Sequence, residues 1–313
     1  MSVTKNLISI QIPEGIYKFR SFAVSITVAE QTAYSSEVFT LQDAWIRKAD
    51  VPHGQFGRYG ATAFAINGMG YVGLGSGGVG NKFWRYNPQE NSWTEVASFS
   101  RGERAEAVSF VIGEYAYVGL GGSNDFWRFD PTSDNWTSIA DFPYAQFGVG
   151  LSANGKGYII TQDETQNFWE YNPIADQWSQ KVDFPGVFLP YVYPDAGFVI
   201  DENLYLYTSD NSTGPNQFYK YEFSTDSWIP RADVEDIGFS FGVTGFSING
   251  NGYIRGKSFM YKYNPLSDSW ITNLEGPLGE RALSIAFIIN GKVYFGTSFY
   301  GAFDLWEFDP DFE

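Results

Sequence analysis

Short apolar runs recur in pairs along the chain, and a tight polar turn separates the two runs of each pair. Residues 61–66 (ATAFAI) and 70–75 (GYVGLG) form one pair, and residues 107–112 (AVSFVI) and 116–121 (AYVGLG) form another. The runs are rich in aromatic and β-branched residues, and glycine-containing pairs such as Asn-Gly stand between them. This pattern predicts a β-hairpin in each of several repeated units.

Two aromatic phrases also repeat. The first reads Trp, three residues, a small apolar residue and an acidic or serine residue, and it begins at Trp45, Trp93, Trp136, Trp178, Trp228 and Trp270. The second alternates aromatic residues before a proline and ends at Pro88, Pro131, Pro173, Pro265 and Pro310, with a degenerate copy ending at Phe223. All ten tryptophans fall within these phrases, which indicates a repeated scaffold.

The length of the repeat predicts the fold. Tryptophans of the first phrase are 42 to 50 residues apart, with room for four short strands in each interval. Four strands in each of six units predict an all-β, six-bladed β-propeller, which we place at residues 45–313. The second phrase precedes its tryptophan by five residues, so its last copy would require one at position 315, beyond Glu313. We therefore expect the strand at Trp45 to be the outer strand of the last blade.

Glycines and tyrosines at regular positions add a family resemblance. Gly75, Gly121 and Gly122 follow the second strand of their repeats, and Thr161-Gln162 and Thr208-Ser209 replace them in repeats three and four. A tyrosine lies within that strand in every repeat, namely Tyr71, Tyr117, Tyr158, Tyr205, Tyr253 and Tyr294. Together with the tryptophans, these positions resemble Kelch repeats over residues 45–313. The resemblance implies a Kelch-type β-propeller of the superfamily that includes galactose oxidase.

Residues 1–44 do not fit the repeat. Residues 7–12, 16–25 and 35–41 read as three strands. The segment IYKFRSFA resembles the closing half of a fibronectin type III or other immunoglobulin-like module, with Tyr17 as its corner tyrosine. Two interpretations stay open: the strands are part of an upstream domain of a larger multidomain chain, which we favour, or they pack on the propeller.

The composition excludes several kinds of chemistry. Aromatic residues make up 19% of the chain, but it has a single histidine, His53, and no cysteine. Without thiols there are no disulfides, thiolate nucleophiles or cysteine-ligated metals, and one imidazole cannot form a two-histidine metal cage. We therefore expect no cofactor, no metal and no catalytic residue set.

The charge narrows the choice of partner. A formal net charge of −16 disfavours nucleic acid and anionic lipid surfaces. No apolar stretch approaches the roughly 20 residues that span a bilayer, so we expect no direct membrane insertion. A glycan or protein ligand remains. We expect an exported, cell-surface or periplasmic setting, although the first residues lack the features of a signal peptide.

Three arginines occupy one equivalent position at the start of an innermost strand. They are Arg58, Arg104 and Arg281, whereas the other repeats have Ala145, Val192 and Ser240 there. On consecutive blades, the three guanidinium groups would converge beside the central channel and bind a carboxylate or sulfate. The alternative is that each arginine is paired in place, with Glu103, Glu106 or Glu280 as the candidates near in sequence.

Aromatic loop residues on the same face are further candidates for a ligand site. Tyr191 and Tyr193 lie in a proline-rich connection, and Phe299 and Tyr300 lie in the last blade. Such rings stack on the apolar faces of sugars. His53 lies in a connection near Arg58, where a solvated or hydrogen-bonded side chain is the alternative to a ligand contact.

Two functions stay open at this stage. The first is a non-catalytic Kelch-propeller binding module of an exported or cell-surface bacterial protein, which recognises a glycan or protein through the face of inter-blade loops. The second is a sugar-modifying enzyme similar to sialic acid mutarotases, with an arginine-lined central pocket. Copper radical oxidases similar to galactose oxidase are excluded, because their site needs a cysteine cross-linked to tyrosine and two histidine ligands.

Overall fold

The computed structural model describes residues 21–22, 25–28, 31–34, 39–40, 45–55, 57–161, 167–186, 196–208, 217–234, 242–256, 259–274, 281–299 and 301–310. The chain divides into two compact units, one of Met1–Ala44 with Asp311–Glu313 and one of Trp45–Pro310. In the described ranges the named elements are all β-strands. No helix in these ranges has the length and apolar character needed to cross a bilayer.

The smaller unit contains two short antiparallel strand pairs. Strand β1 (Ser21–Phe22) pairs with β4 (Phe39–Thr40), and β2 (Ser25–Val28) pairs with β3 (Gln31–Tyr34). Tyr17 and the strand expected at residues 7–12 lie outside the described residues. The immunoglobulin-like origin of this unit therefore stays a prediction.

The larger unit is a six-bladed β-propeller, which confirms the fold predicted from the repeat. Each blade is a four-stranded antiparallel sheet. Blade 1 comprises β6 (Thr62–Ile66), β7 (Met69–Gly73), β8 (Phe83–Asn87) and β9 (Ser92–Val96). Blade 2 comprises β10 (Ala107–Ile112), β11 (Tyr115–Leu120), β12 (Phe126–Asp130) and β13 (Asn135–Ser138). Blade 3 comprises β14 (Gly148–Ala153), β15 (Lys156–Thr161), β16 (Phe168–Asn172) and β17 (Gln177–Gln180).

The remaining blades repeat this order. Blade 4 comprises β18 (Ala196–Ile200), β19 (Asn203–Thr208), β20 (Gln217–Glu222) and β21 (Ser227–Pro230). Blade 5 comprises β22 (Thr244–Ile248), β23 (Asn251–Arg255), β24 (Met260–Asn264) and β25 (Ser269–Leu274). Blade 6 comprises β26 (Ile285–Ile289), β27 (Lys292–Gly296), β28 (Leu305–Phe308) and, from the start of this unit, β5 (Trp45–Lys48).

Strand β5 closes the ring, as the missing tryptophan predicts. Trp45 pairs with Phe308 and Lys48 pairs with Leu305 in an antiparallel ladder. The Trp45 ring is buried, and its centroid lies 4.6 Å from that of Phe308. The Lys48 ammonium also forms an ion pair with the buried Glu307 carboxylate at 3.1 Å. Closure pairs an edge of β28 that would otherwise be exposed.

The tyrosine series has a packing explanation. In blade 1 the Tyr71 ring stacks on Phe64 of the innermost strand, with centroids 5.2 Å apart. The same stack recurs in Phe110 with Tyr117, Phe198 with Tyr205, Phe246 with Tyr253, and Phe287 with Tyr294. These rings are buried, so the aromatic excess of the sequence serves largely as blade core.

The tryptophan phrase joins neighbouring blades. Trp136 donates its indole N–H to the carbonyl oxygen of Ala97 in the preceding blade (2.9 Å), and Asp134 accepts the Ala97 backbone N–H (2.9 Å). Equivalent contacts connect Trp93 and Asn91 to Ala49, Trp178 and Asp176 to Ala140, Trp228 and Asp226 to Val182, and Trp270 and Asp268 to Ala232. The tryptophan of one copy of the phrase therefore donates to a carbonyl oxygen in the preceding copy, so the phrase supplies both partners of the inter-blade hydrogen bond.

Candidate functional site

Six innermost strands surround a central channel. Their equivalent positions form a ring of small residues, namely Ala63, Ser109, Gly150, Gly197, Gly245 and Ala286, around a cavity of about 300 Å³. The strands approach closely there: a Cβ on Gly245 would lie 2.6 Å from the Gly197 carbonyl oxygen. The Ser109 hydroxyl donates to the Ala63 carbonyl oxygen of the neighbouring blade (3.1 Å). Small side chains at these positions leave the channel open.

The innermost strands begin on the face that also carries the loops between second and third strands. We call this the loop face. A second cavity, of about 240 Å³, lies at this mouth of the channel. Hydroxyl side chains of Thr62, Ser109 and Ser284 are among its lining residues. Among the described residues that line it, Glu106 alone has a charged side chain.

Glu106 has an unusual backbone conformation for its residue type. Its φ is 58°, in the left-handed region, and the equivalent positions are Gly60 (58°), Gly242 (73°) and Leu283 (50°). Its N–H donates to the Gly60 carbonyl oxygen at 2.6 Å, and the Gly60 N–H donates to the Leu283 carbonyl oxygen at 3.4 Å. A left-handed non-glycine residue costs about 1–2 kcal/mol. Such strain at a cavity mouth is typical of functional positions.

Two aromatic rings lie beside the mouth. Tyr59 directly precedes the mouth residue Gly60, and its ring meets Phe299 edge to face with centroids 5.0 Å apart. Phe299 is 49% exposed although it is a large apolar side chain. Its backbone N–H donates to the Ala282 carbonyl oxygen at 2.8 Å, which places it next to mouth residue Leu283. The rim of the mouth therefore offers an aromatic edge.

The histidine occupies a surface stack. The exposed His53 ring stacks on Phe303 with centroids 3.9 Å apart, and its Nδ1 lies 2.8 Å from the Gly54 carbonyl oxygen. Its participation in a ligand site stays a prediction. The predicted site residues Tyr191, Tyr193 and Tyr300 lie outside the described part of the chain.

Arg104 is paired within its own blade. Its Nη1 and Nη2 donate to the Asp125 carboxylate at 2.8 and 3.1 Å, and Nη1 also donates to the Leu120 carbonyl oxygen at 3.0 Å. Asp125 further accepts the Trp127 indole N–H (2.8 Å) and the Ser123 hydroxyl. Burial would raise the pKa of Asp125, but these hydrogen bonds outweigh it and lower the pKa to about 2.

Arg281 repeats this arrangement. Its Nη1 donates to the Thr297 carbonyl oxygen (3.1 Å) and its Nη2 donates to Asp304 (2.7 Å), which also accepts the Trp306 indole N–H (2.6 Å). Burial would raise the pKa of Asp304, but hydrogen bonds from Arg281 and Trp306 outweigh it, so the pKa is lowered. The observed acidic partners of Arg104 and Arg281 are thus 21 and 23 residues further along the chain.

Arg58 differs from the other two arginines. It is 0% exposed, its Nη1 donates to the Leu74 carbonyl oxygen at 2.9 Å, and its guanidinium carbon lies 4.7 Å from the centre of the Trp84 ring. Burial lowers the pKa of Arg58 to about 10. Lys82 takes the place of the aspartate, two residues before the tryptophan of the third strand. Among described residues Arg58 has no acidic partner.

The predicted convergence of the three arginines on the channel stays a prediction. None of them is among the described residues that line the two cavities. Each guanidinium group instead donates to the carbonyl oxygen at the end of, or just after, the second strand of its own blade. The three side chains are directed into their blades, where this carbonyl accepts from each of them and an aspartate also accepts from Arg104 and Arg281.

The described residues contain no group of three histidine, aspartate or glutamate side chains that could hold a metal ion. No family model matches the chain, and no curated protein matches it. Among solved structures, that of YjhT is similar, with a TM-score of 0.67 and 16% identity over 83% of this chain and 95% of that chain. At this identity the likeness supports the propeller fold, and the Kelch assignment stays a prediction.

Proposed function

We propose that this chain is a non-catalytic, Kelch-type binding module that recognises a glycan at the mouth of its central channel. The observation that carries the proposal is Glu106, a carboxylate in a strained backbone conformation at a mouth whose other described lining residues are uncharged. A carboxylate oxygen accepts hydrogen bonds from sugar hydroxyls, and charge-assisted bonds of this kind are among the stronger ones.

The aromatic rim of the mouth favours a sugar as the ligand over a protein with a flat binding surface. The exposed edge of Phe299 and its partner Tyr59 lie next to mouth residues, so a ring in the cavity could contact both an apolar surface and Glu106. Sugar sites combine apolar contact with a few placed polar groups. The cavity of about 240 Å³ is suited to one terminal sugar residue rather than a folded partner.

The enzyme alternative has less support from the described residues of the mouth. It requires an arginine-lined central pocket, and the described lining holds Glu106 in place of arginine. General acid-base chemistry also uses two groups of matched pKa within reach of one reacting atom. The mouth supplies a single carboxylate among its described residues, and this arrangement favours binding without turnover.

Sugar titration tests the proposal. The purified chain is titrated calorimetrically with a panel of neutral mono- and oligosaccharides, and the anomeric exchange of each bound sugar is followed by NMR. Glu106→Gln should weaken binding about tenfold or more, because a hydrogen bond to a charged group contributes about 1.5–3 kcal/mol. Phe299→Ala should weaken binding as well. Accelerated anomeric exchange would contradict the non-catalytic part of the proposal.

The matched control is Glu103→Gln. Glu103 is an exposed glutamate three residues before Glu106, in the same connection, and it does not line the mouth. This variant should bind as the wild type does. Equal losses in the two variants would show a general charge effect, and the absence of binding by any sugar in the panel would overturn the glycan proposal in favour of a protein ligand.

A further inference from the structure

The three arginines share one structural position but not one counterion. In blades 2 and 6, an aspartate two residues before the third-strand tryptophan neutralises the arginine, as Asp125 does for Arg104. In blade 1 the corresponding residue is Lys82. Blade 1 therefore has the buried cation Arg58 and a second cation, Lys82, at the position where blades 2 and 6 have an aspartate.

Lys82 pairs with a residue of the outer strand, and its ammonium nitrogen lies 5.8 Å from the centre of the Trp84 ring that Arg58 also contacts. Its ammonium group forms an ion pair with Glu95 at 3.0 Å, and both side chains are about half exposed. The carboxylate of Glu95 is thereby engaged on the surface. As a result, no described carboxylate lies beside Arg58 at the position that an aspartate occupies in blades 2 and 6.

Two donors of the buried guanidinium group have no partner. Arg58 Nε and Nη2 are both buried and make no hydrogen bond. These two N–H groups project from the same edge of the guanidinium plane, in the fork that binds both oxygens of a carboxylate. A buried charge whose donors are unsatisfied is costly, so such a site favours occupation by an anion.

A glycine-rich loop covers the backbone at this position. Gly75, Gly77, Gly78 and Gly80 all have positive φ values. A Cβ on Gly77 would lie 2.3 Å from the Gly57 carbonyl oxygen and 3.5 Å from the Arg58 nitrogen. Since Arg58 is 0% exposed beneath this cover, an occupant must be small.

We propose that the Nε and Nη2 fork of Arg58 binds a small monoanion, of carboxylate or halide type, which supplies in blade 1 the negative charge that Asp125 and Asp304 supply in blades 2 and 6. This site is separate from the channel mouth, because Arg58 is not among the residues that line the mouth. The inference does not depend on the glycan proposal.

Thermal unfolding at constant ionic strength tests this site. Sodium formate and sodium chloride are added in separate experiments. In each, the added salt replaces the sodium salt of a bulky sulfonate, so that the ionic strength stays constant. A site for either anion should raise Tm by about 2–4 °C at saturating concentration. The two arms distinguish a carboxylate from a halide, and saturation-transfer NMR of the formate proton reports its binding directly.

Substitutions at the counterion position provide the decisive comparison. Lys82→Asp should raise Tm in anion-free buffer and remove the anion response, because blade 1 would then resemble blade 2. Lys82→Ala, which removes the lysine without supplying a carboxylate, should keep the response. Asp125→Asn should lower Tm and add anion dependence, because it leaves Arg104 in the situation of Arg58.

If formate and chloride raised the Tm of Lys82→Asp by as much as they raise the Tm of the wild type and of Lys82→Ala, the proposal would be overturned. The absence of any change in the Tm of the wild type would also overturn it. These substitutions are at a half-exposed lysine, so the test does not require an Arg58 variant to fold.

Discussion

The Asp125 carboxylate shows how single residues set the acid stability of a blade. It accepts hydrogen bonds from Arg104, Ser123 and Trp127, and its side chain is only 15% exposed. Breaking such a pair by removing one partner leaves a charge that is poorly solvated. The paired aspartates therefore have a structural role. Arg58, by contrast, has no acidic partner among the described residues, and its Nε and Nη2 donors make no hydrogen bond.

Acid titration checks this assignment. The pKa of Asp125 is about 2 in the folded state and about 3.9 in an unfolded chain. Its contribution of about 2 kcal/mol is therefore fully present above about pH 5 and is lost as the pH falls towards 2. Urea unfolding of wild type and Asp125→Asn should give a stability difference that shrinks over this range. Asp141→Asn, at an exposed position, is the control substitution.

Sequence reasoning found the arginines but not their partners. The signal was present: an aspartate stands two residues before the third-strand tryptophan in NDFW and FDLW, and a lysine stands there in NKFW. The loop that leads to this position is three residues longer in blade 1 than in blade 2. Because the pairing depends on the end of that variable loop, proximity in sequence did not identify Asp125 and Asp304.

At the scale of strands, the innermost strand is shaped by crowding around the axis. Gly245→Ala would place a Cβ 2.6 Å from the Gly197 carbonyl oxygen, whereas Gly150→Ala would place one 3.1 Å from the Ser109 carbonyl oxygen. We expect Gly245→Ala to lower the free energy of unfolding by about 1–3 kcal/mol. Gly150→Ala should change it by less than about 1 kcal/mol. Urea titration measures both, and equal effects would contradict the crowding argument.

The outer strand is shaped by its contact with the next blade. Asp176 accepts hydrogen bonds from the Ala140 backbone N–H (2.9 Å) and the Tyr171 hydroxyl (2.7 Å). Asp176→Ala should therefore cost about 1–3 kcal/mol of unfolding free energy. Asp176→Asn keeps an oxygen acceptor, as Asn91 provides at the equivalent position, and should cost less than about 1 kcal/mol. If both variants lost a comparable amount of unfolding free energy, the charge of Asp176 rather than its role as a hydrogen-bond acceptor would account for the stabilisation.

At the scale of the whole propeller, β5 makes the ring continuous. Deletion of residues 1–50 removes this strand, including Trp45, whereas deletion of residues 1–43 keeps it. The first deletion should lower Tm by about 10 °C or more, because a buried tryptophan alone contributes about 3–5 kcal/mol. The second should leave the propeller transition unchanged. An unchanged Tm after the longer deletion would disprove the role of β5 in closure.

The ring could be predicted from sequence because its repeats are imposed by inter-blade contacts. Trp136 and Asp134 contact Ala97 of the preceding blade, so each phrase must recur with every blade. The mouth could not be predicted in the same way. Glu106 stands where three other repeats have glycine or leucine, and only the backbone angle and the surrounding cavity reveal its position.

Closure through β5 also has a consequence for biosynthesis. Trp45 pairs with Phe308, so more than 250 residues must leave the ribosome before the strand meets its partner. During that time β5 can form neither its ladder nor its ion pair with Glu307. Bringing such distant segments together carries a larger entropic cost than forming any single blade hairpin. We therefore expect the joining of β5 to β28 to come late in folding, after blades 1 to 5 have left the ribosome.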